Sequence, residues 1–406
     1  MFAETFSHYL SYGATDQQTV RQLAGSFNGL LVPGTVASFQ REGTGGFVLS
    51  LSAASAGTEY VIDPRFPLFQ QALVNPKKSH TALAEIFGRP DLVRATDPLP
   101  DDFDAELIDT VARSWTDFNG GYQQQTGGKF AKYAERLGEP VELPNAKAPR
   151  YVLAPYLVAS GITDPWWTKS QELFEATRRH VNDDDRCVRV VASASPHALA
   201  ELLETVGDSK IAIWVSALDE LRRTHDELAE YGRAIADFTD QGKKAFALYG
   251  GFFGVLLQNI GLSGLSHGIG FGESRAWIEL PESGPPPARY YLPQLHRYVQ
   301  PDEATQLLFA DERLAACDCE DCGGEPPIAL DYRALMSHSV RCRAMEIDSW
   351  GGLDVALAVS RLREETATYD DVLHASGLSQ IIIARTERQM RHLLEWSQAL
   401  ELIGRR

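Results

Sequence analysis

From residue 150 onward, short apolar runs alternate with amphipathic stretches, and this alternation restricts the fold more than any other feature. Residues 150–156, 186–194, 210–216 and 244–249 read as strands, and residues 165–180, 196–206, 218–239 and 252–259 as the helices between them. Such alternation belongs to a parallel sheet, because a parallel connection has to cross back over the sheet and a helix does so. Upstream, residues 30–39, 47–51 and 59–63 read as strands behind a helix at 16–27. Downstream, 264–268 and 289–292 follow as short strands. Strand starts at Leu30, Glu59, Arg150, Arg186, Lys210, Lys244, Gly264 and Arg289 suit a closed (β/α)8 barrel of the TIM type, within α/β; an open doubly wound sheet is the alternative. Residues 68–145 read as a helical insertion, with helices at 79–87, 104–119 and 129–137. The barrel is expected over 1–300, and residues 301–406 as a metal-binding, helical subdomain. Helices at 352–365 and 386–402 would pack on the barrel's outside, and Gly284-Pro-Pro-Pro287 is the one stiff loop.

The second constraint is chemical. Cys317-Asp-Cys319-Glu-Asp-Cys322 precedes His338 by sixteen residues. Three soft thiolates and one imidazole fit a tetrahedral Zn²⁺, and four protein ligands leave no open position for catalysis. His296 and Cys342 compete with His338 for the fourth corner. Gly323-Gly324 lets the backbone turn tightly behind the sulfurs.

A net charge of −17 over 406 residues argues against indiscriminate nucleic-acid binding, while leaving room for a local basic groove. Five cysteines, three in one motif, fit a reducing compartment. Residues 1–10 hold no signal-like apolar core, and no run reaches the ~20 apolar residues of a membrane helix. A soluble, cytoplasmic protein is the expectation.

A barrel followed by Cys-x-Cys-x-x-Cys and a histidine-bearing helix resembles the tRNA-guanine transglycosylase superfamily. The branch that inserts 7-deazaguanines into DNA looks nearer than the tRNA enzymes. The resemblance spans roughly residues 28–350, and the cysteine motif is its specific part. It implies a structural zinc, a purine or 7-deazapurine substrate, nucleic acid (DNA or tRNA) as partner, and a homodimer or pairing with other subunits. The family's zinc histidine lies further past the last cysteine; that window here holds Asp348 and Asp354.

The resemblance also assigns barrel residues. Asp63, closing Tyr-Val-Ile-Asp, stands where the family places an aspartate that contacts the base and serves in acid/base work. Trp214-Val-Ser216-Ala-Leu-Asp-Glu220 stands where a strand end packs on the base, and Tyr249-Gly250-Gly251 leads to the segment of the nucleophilic aspartate. That aspartate is absent; Ser266-His267 replaces it. Histidine suits proton transfer better than covalent attack on an anomeric carbon, so Glu273 and Asp219 become the carboxylate candidates. Read from the residues alone, Gly261, Gly264, Gly268, Gly270 and Gly272 crowd around His267 just before Glu273 and Arg275, as a binding lip at a strand's carboxyl end would. Tyr156 and Trp214 offer aromatic faces for stacking, or belong to the core. The expected set is therefore Asp63, His267 and Glu273 for chemistry. Tyr156, Trp214, Ser216, Gly250, Gly251, Ser266 and Arg275 are expected to bind the base.

Overall fold

A computed structural model describes residues 1–13, 17–54, 58–122, 147–270, 272–277 and 287–405. Eight staves close into a parallel barrel. In chain order they are β1 (Ser7–Ser11), β2 (Gly29–Pro33), β3 (Glu59–Asp63), the broken stave β4 (Val152–Leu153) with β5 (Val158–Ala159), β6 (Cys187–Ser193), β7 (Lys210–Val215), β8 (Lys244–Ala247) and β9 (Leu262–Gly268). β1 pairs with both β2 and β9, and β4 bridges β3 to β6, so the ring has no free edge. The expected (β/α)8 barrel is the observed fold.

Alternation of side chains across each strand builds two cores. Tyr9, Leu31, Val61, Val190, Trp214 and Phe246 fill the interior of the barrel. Leu10, Leu30, Ile62, Ile213 and Leu265 pack outward against the helices. The helices start where the sequence offers caps. Asp164 accepts from the Trp166 amide with Pro165 behind it, Ser195 accepts from the Ala198 amide, and Thr224 with Glu227 forms a capping box for His225–Thr239.

The count of eight was reached with one wrong member and one omission. β1 replaces the strand expected at Arg289. Its sequence, Ser-His-Tyr-Leu-Ser, is fully buried but half polar, unlike the apolar run a parallel strand usually shows. Tyr290–Leu292 is a strand, but it pairs antiparallel with Arg297–Val299 in a separate hairpin. The strand expected at 30–39 ends at Pro33, and Gly34–Phe39 is helix; 47–51 lies inside the helix Arg41–Ala54. A five-residue apolar run fits either state, and its helical flanks decide. The insertion carries helices Lys78–Ile86 and Ala105–Gly121, while 129–137 and most of the Gly-Pro-Pro-Pro loop lie outside the described residues.

Past the hairpin, Tyr332–Trp350 lies against it, and Val355–Ala375 and Gln380–Gly404 form an antiparallel pair that packs on His225–Thr239. No helix among the described residues is long and apolar enough to cross a membrane.

Candidate functional site

Three groups of functional side chains meet on the carboxyl side of the barrel. The first is the cysteine cluster. The Sγ atoms of Cys317, Cys319 and Cys322 and a ring nitrogen of His338 lie within 4.8 Å of one another. Cys319 and Cys322 are 3.5 Å apart, and His338 Nδ1 is 3.3 and 3.2 Å from them. Ligands about 2.3 Å from a tetrahedral centre stand about 3.8 Å from each other, so the four donors surround a point that an ion can occupy. The tautomer agrees. His338 Nε2 donates to the Tyr291 carbonyl at 2.6 Å, which leaves the Nδ1 lone pair facing the sulfurs. The group can hold a metal ion. Of the competitors, Cys342, one turn after His338, sits 3.7 Å from Cys317 and 3.5 Å from His338 Nδ1. His296 does not reach the cluster; its Nδ1 lies 2.5 Å from Glu346 and its ring stacks 3.5 Å from Phe252.

The second group is the centre of the barrel mouth. Asp63 lies on the interior face of β3, in step with Val61, and is wholly buried. It accepts from the hydroxyls of Tyr156 at 2.8 Å and Tyr249 at 2.9 Å and from the Arg65 amide at 3.0 Å. Arg65 takes a left-handed backbone (φ 52°), which turns its guanidinium back over the Trp214 ring at 5.1 Å. Trp214 meets Tyr156 and Tyr249 edge-on. Residues 272–277 then cross the mouth as a strap. The Arg275 carbonyl accepts from the Ala217 amide at 2.9 Å, and the Trp277 amide donates to Ser216 Oγ at 3.2 Å. Arg275 donates to the Tyr249 hydroxyl at 3.2 Å. Asp63, Tyr156, Trp214, Ser216 and Arg275 therefore do come together, but they satisfy one another beneath the strap.

Ser266 also faces inward, and its hydroxyl donates to the Leu248 carbonyl. His267, the next residue, points the other way. It is fully buried between barrel and helices, with Nε2 2.7 Å from His8 Nε2 and the rings stacked at 4.9 Å. Burial, then the neighbouring His8 and Arg343, hold it well below the ordinary histidine range. It is not placed with Asp63 or with Glu273.

The third group is a carboxylate pair on the rim. Glu220, just past β7, accepts from the amides of Gly251 and Phe253, both at 2.9 Å. Glu273, on the strap, is held by Arg343 at 2.5 Å. Gly251 makes their approach possible. A Cβ there would stand 2.8 Å from one Glu220 oxygen and 2.9 Å from one Glu273 oxygen, so the two oxygens, both within 3 Å of one point, are less than about 6 Å apart. Burial, above all, pushes Glu273 up to about 7; Arg343 opposes this, and Glu220, Glu346 and Asp219 add to it. Burial raises Glu220 as well, against the Gly251 amide, which favours its charged form. Two adjacent carboxylates in unlike surroundings are how one acid stays protonated beside one base. Both line a cavity of about 590 Å³ with Asp219, between the strap, the hairpin and the helix Gln380–Gly404.

Behind Glu273 runs a buried chain of polar groups. Arg343 also meets Glu346 at 3.1 Å, and Glu346 accepts from the Tyr291 hydroxyl at 2.8 Å. Arg343 and Glu346 lie five and eight residues after His338, on the same helix. The sequence reading missed Arg343, Glu346, Tyr291 and Tyr249 as site residues, and it quoted Glu220 only as the end of a segment. The signal available was the helical register from His338, which carries Arg343 toward the barrel once the helix is placed.

Fold and clusters together define a (β/α)8 barrel protein with a Cys/His cluster beside its carboxyl rim. No protein-family model matches the chain, and no curated protein does. Among nine solved chains that match is an intracellular xylanase of Thermoanaerobacterium saccharolyticum. It has 12% identity and a TM-score of 0.37, and the match covers 70% of this chain and 91% of that one. A likeness so slight has no bearing on function.

Proposed function

We propose that the chain is a transglycosylase-like protein that exchanges a guanine or 7-deazaguanine base in nucleic acid, DNA or tRNA, with structural Zn²⁺ in the Cys/His cluster. The observation that carries this reading is the Glu220–Glu273 pair. Glycosidic bonds broken through a covalent intermediate use two carboxyl groups about 5 Å apart, one as nucleophile and one as acid. Glu273, pushed up to about 7, is the acid. It gives its proton to the departing base as the bond to the anomeric carbon breaks. Glu220, fixed by two backbone amides, bonds to that carbon. The incoming base displaces Glu220 and returns a proton to Glu273. The nucleophile missing at Ser266-His267 is thus supplied from the loop after β7.

Incorporation of labelled guanine into DNA and into tRNA by the purified chain tests the reading. Turnover that falls at least a hundredfold in both Glu220→Gln and Glu273→Gln is expected. Turnover that survives both would remove the pair from the chemistry.

A second reading is a catalytically inactive relative that binds nucleic acid or an active partner. The complete enclosure of Asp63 supports it, since the resemblance would have that residue contact the base. Exchange that appears only with a second protein present would favour it.

A further inference from the structure

The rim cavity is basic inside an acidic molecule. Five arginines line it against three acids, in a chain of net charge −17. The arginines come from separate elements: the loop after β7, both strands of the hairpin region, and the helix Gln380–Gly404. Two are already paired, Arg222 with Asp219 at 3.2 Å and Arg385 with Glu303 at 3.1 Å. Arg297 and Arg388 are less committed. Arg388 has no ion pair among the described residues and is exposed at the cavity edge. Arg297 spends one nitrogen on the Gln389 carbonyl at 2.7 Å, while its buried Nε has no partner. Burial depresses Arg297 below the ordinary arginine value, against Glu303, Asp219 and Glu273, which favour its charged form. A buried guanidinium N–H without an acceptor is costly, and an anionic ligand in the cavity would supply one to Arg297 Nε.

We propose that this cavity holds the phosphate of a phosphorylated nucleoside unit on Arg297 and Arg388, across from the Glu220–Glu273 pair. The planar, forked guanidinium matches phosphate oxygens two at a time, which a lysine does not. About 590 Å³ accommodates one nucleotide-sized group and not a duplex. The substrate class is therefore a nucleoside phosphate, met either as a free nucleotide or as a nucleotide flipped out of a strand. This inference rests on the carboxylate reading for the orientation of the ligand, and on the arginine wall for its phosphate.

Calorimetric titration of the full chain with guanosine 5′-monophosphate, guanosine and a short single-stranded oligonucleotide tests it. The monophosphate should bind at least tenfold more tightly than guanosine. Arg388→Ser and Arg297→Gln should each erase most of that difference while leaving guanosine binding unchanged. Equal binding of the two ligands, or a phosphate preference that survives both substitutions, overturns the proposal. Tighter binding of the oligonucleotide than of the monophosphate assigns the phosphate to a strand; the reverse order assigns it to a free nucleotide. Labelled-guanine exchange, measured in parallel on the same preparation, separates the two readings. Arginine-dependent phosphate binding in a chain with no exchange activity would leave the anion site standing and remove only the transglycosylase.

Discussion

At Glu273 the competing influences can be ranked. Burial and three neighbouring carboxylates outweigh the direct contact with Arg343, so the group keeps its proton to about pH 7 instead of 4.5. An acid catalyst with that value loses its function as pH rises through 7. The exchange rate should therefore fall about tenfold per pH unit above 7, and Glu273→Gln should show a flat profile over the same range. His267 illustrates the opposite case. With Nδ1 of both His8 and His267 facing carbonyl oxygens, both must donate there, and their Nε2 contact needs a proton that burial resists. Burial lowers His8 to about 3. A histidine depressed in the fold costs stability when it must charge, so stability is full above pH 6.5 and is lost as pH falls toward 3. The slope is about 1.4 kcal/mol per pH unit for each such group. His267→Ala should lower stability by about 2–4 kcal/mol through the space it leaves. Urea unfolding against pH, with turnover measured in parallel, checks both. A variant that unfolds like the parent but turns over no substrate would return His267 to the chemistry.

The helix Tyr332–Trp350 links the metal cluster to the carboxylates. His338 faces the sulfurs, and Arg343, little more than one turn on, faces Glu273. The His338 Nε2 bond to the Tyr291 backbone and the Tyr291 hydroxyl bond to Glu346 tie the same helix to the hairpin twice. An ion in the cluster would fix the register of the helix, and with it the position of Arg343. Chelation, or Cys319→Ser, should lower the melting temperature and shift the pH dependence assigned to Glu273. Cys342→Ser should leave metal stoichiometry unchanged if His338 supplies the fourth corner; loss of metal there would give that corner to Cys342 instead. Much of this element was legible in advance, because Cys-x-Cys-x-x-Cys has few other uses and the fold needs no help to bring three close thiols together. The partner across the barrel was not. Whether Ser266 or His267 faces the interior is decided by strand register, and a one-residue difference puts the side chain on the opposite face. β1 was invisible for a related reason. Its Ser7, His8 and Ser11 are buried polar residues, and His8 finds its ring partner 259 residues away.

Across the whole molecule, the carboxyl end of the barrel is divided into a sealed centre and an open rim. At the centre, the described polar side chains pair with one another. Asp63 joins β3 to the broken stave through Tyr156 and to the end of β8 through Tyr249, whose hydroxyl accepts from Arg275 of the strap. Removing the carboxylate would leave two buried hydroxyls and the Arg65 amide without their acceptor in a low-dielectric interior. Asp63→Ala should therefore cost about 3 kcal/mol or more, and should also loosen the strap that carries Glu273. Asp63→Asn should cost less, because its amide oxygen still accepts from Tyr156 and the Arg65 amide, while its NH₂ can donate to Tyr249. The sequence resemblance assigns Asp63 to the base and so expects Asp63→Ala to abolish exchange. Urea unfolding midpoints for the two variants, beside their exchange rates, decide between these roles. A stable, inactive Asp63→Ala would mean that the strap lifts to admit the base at the centre. A destabilised variant whose residual folded fraction still turns over would place the chemistry at the rim, under Glu220 and Glu273.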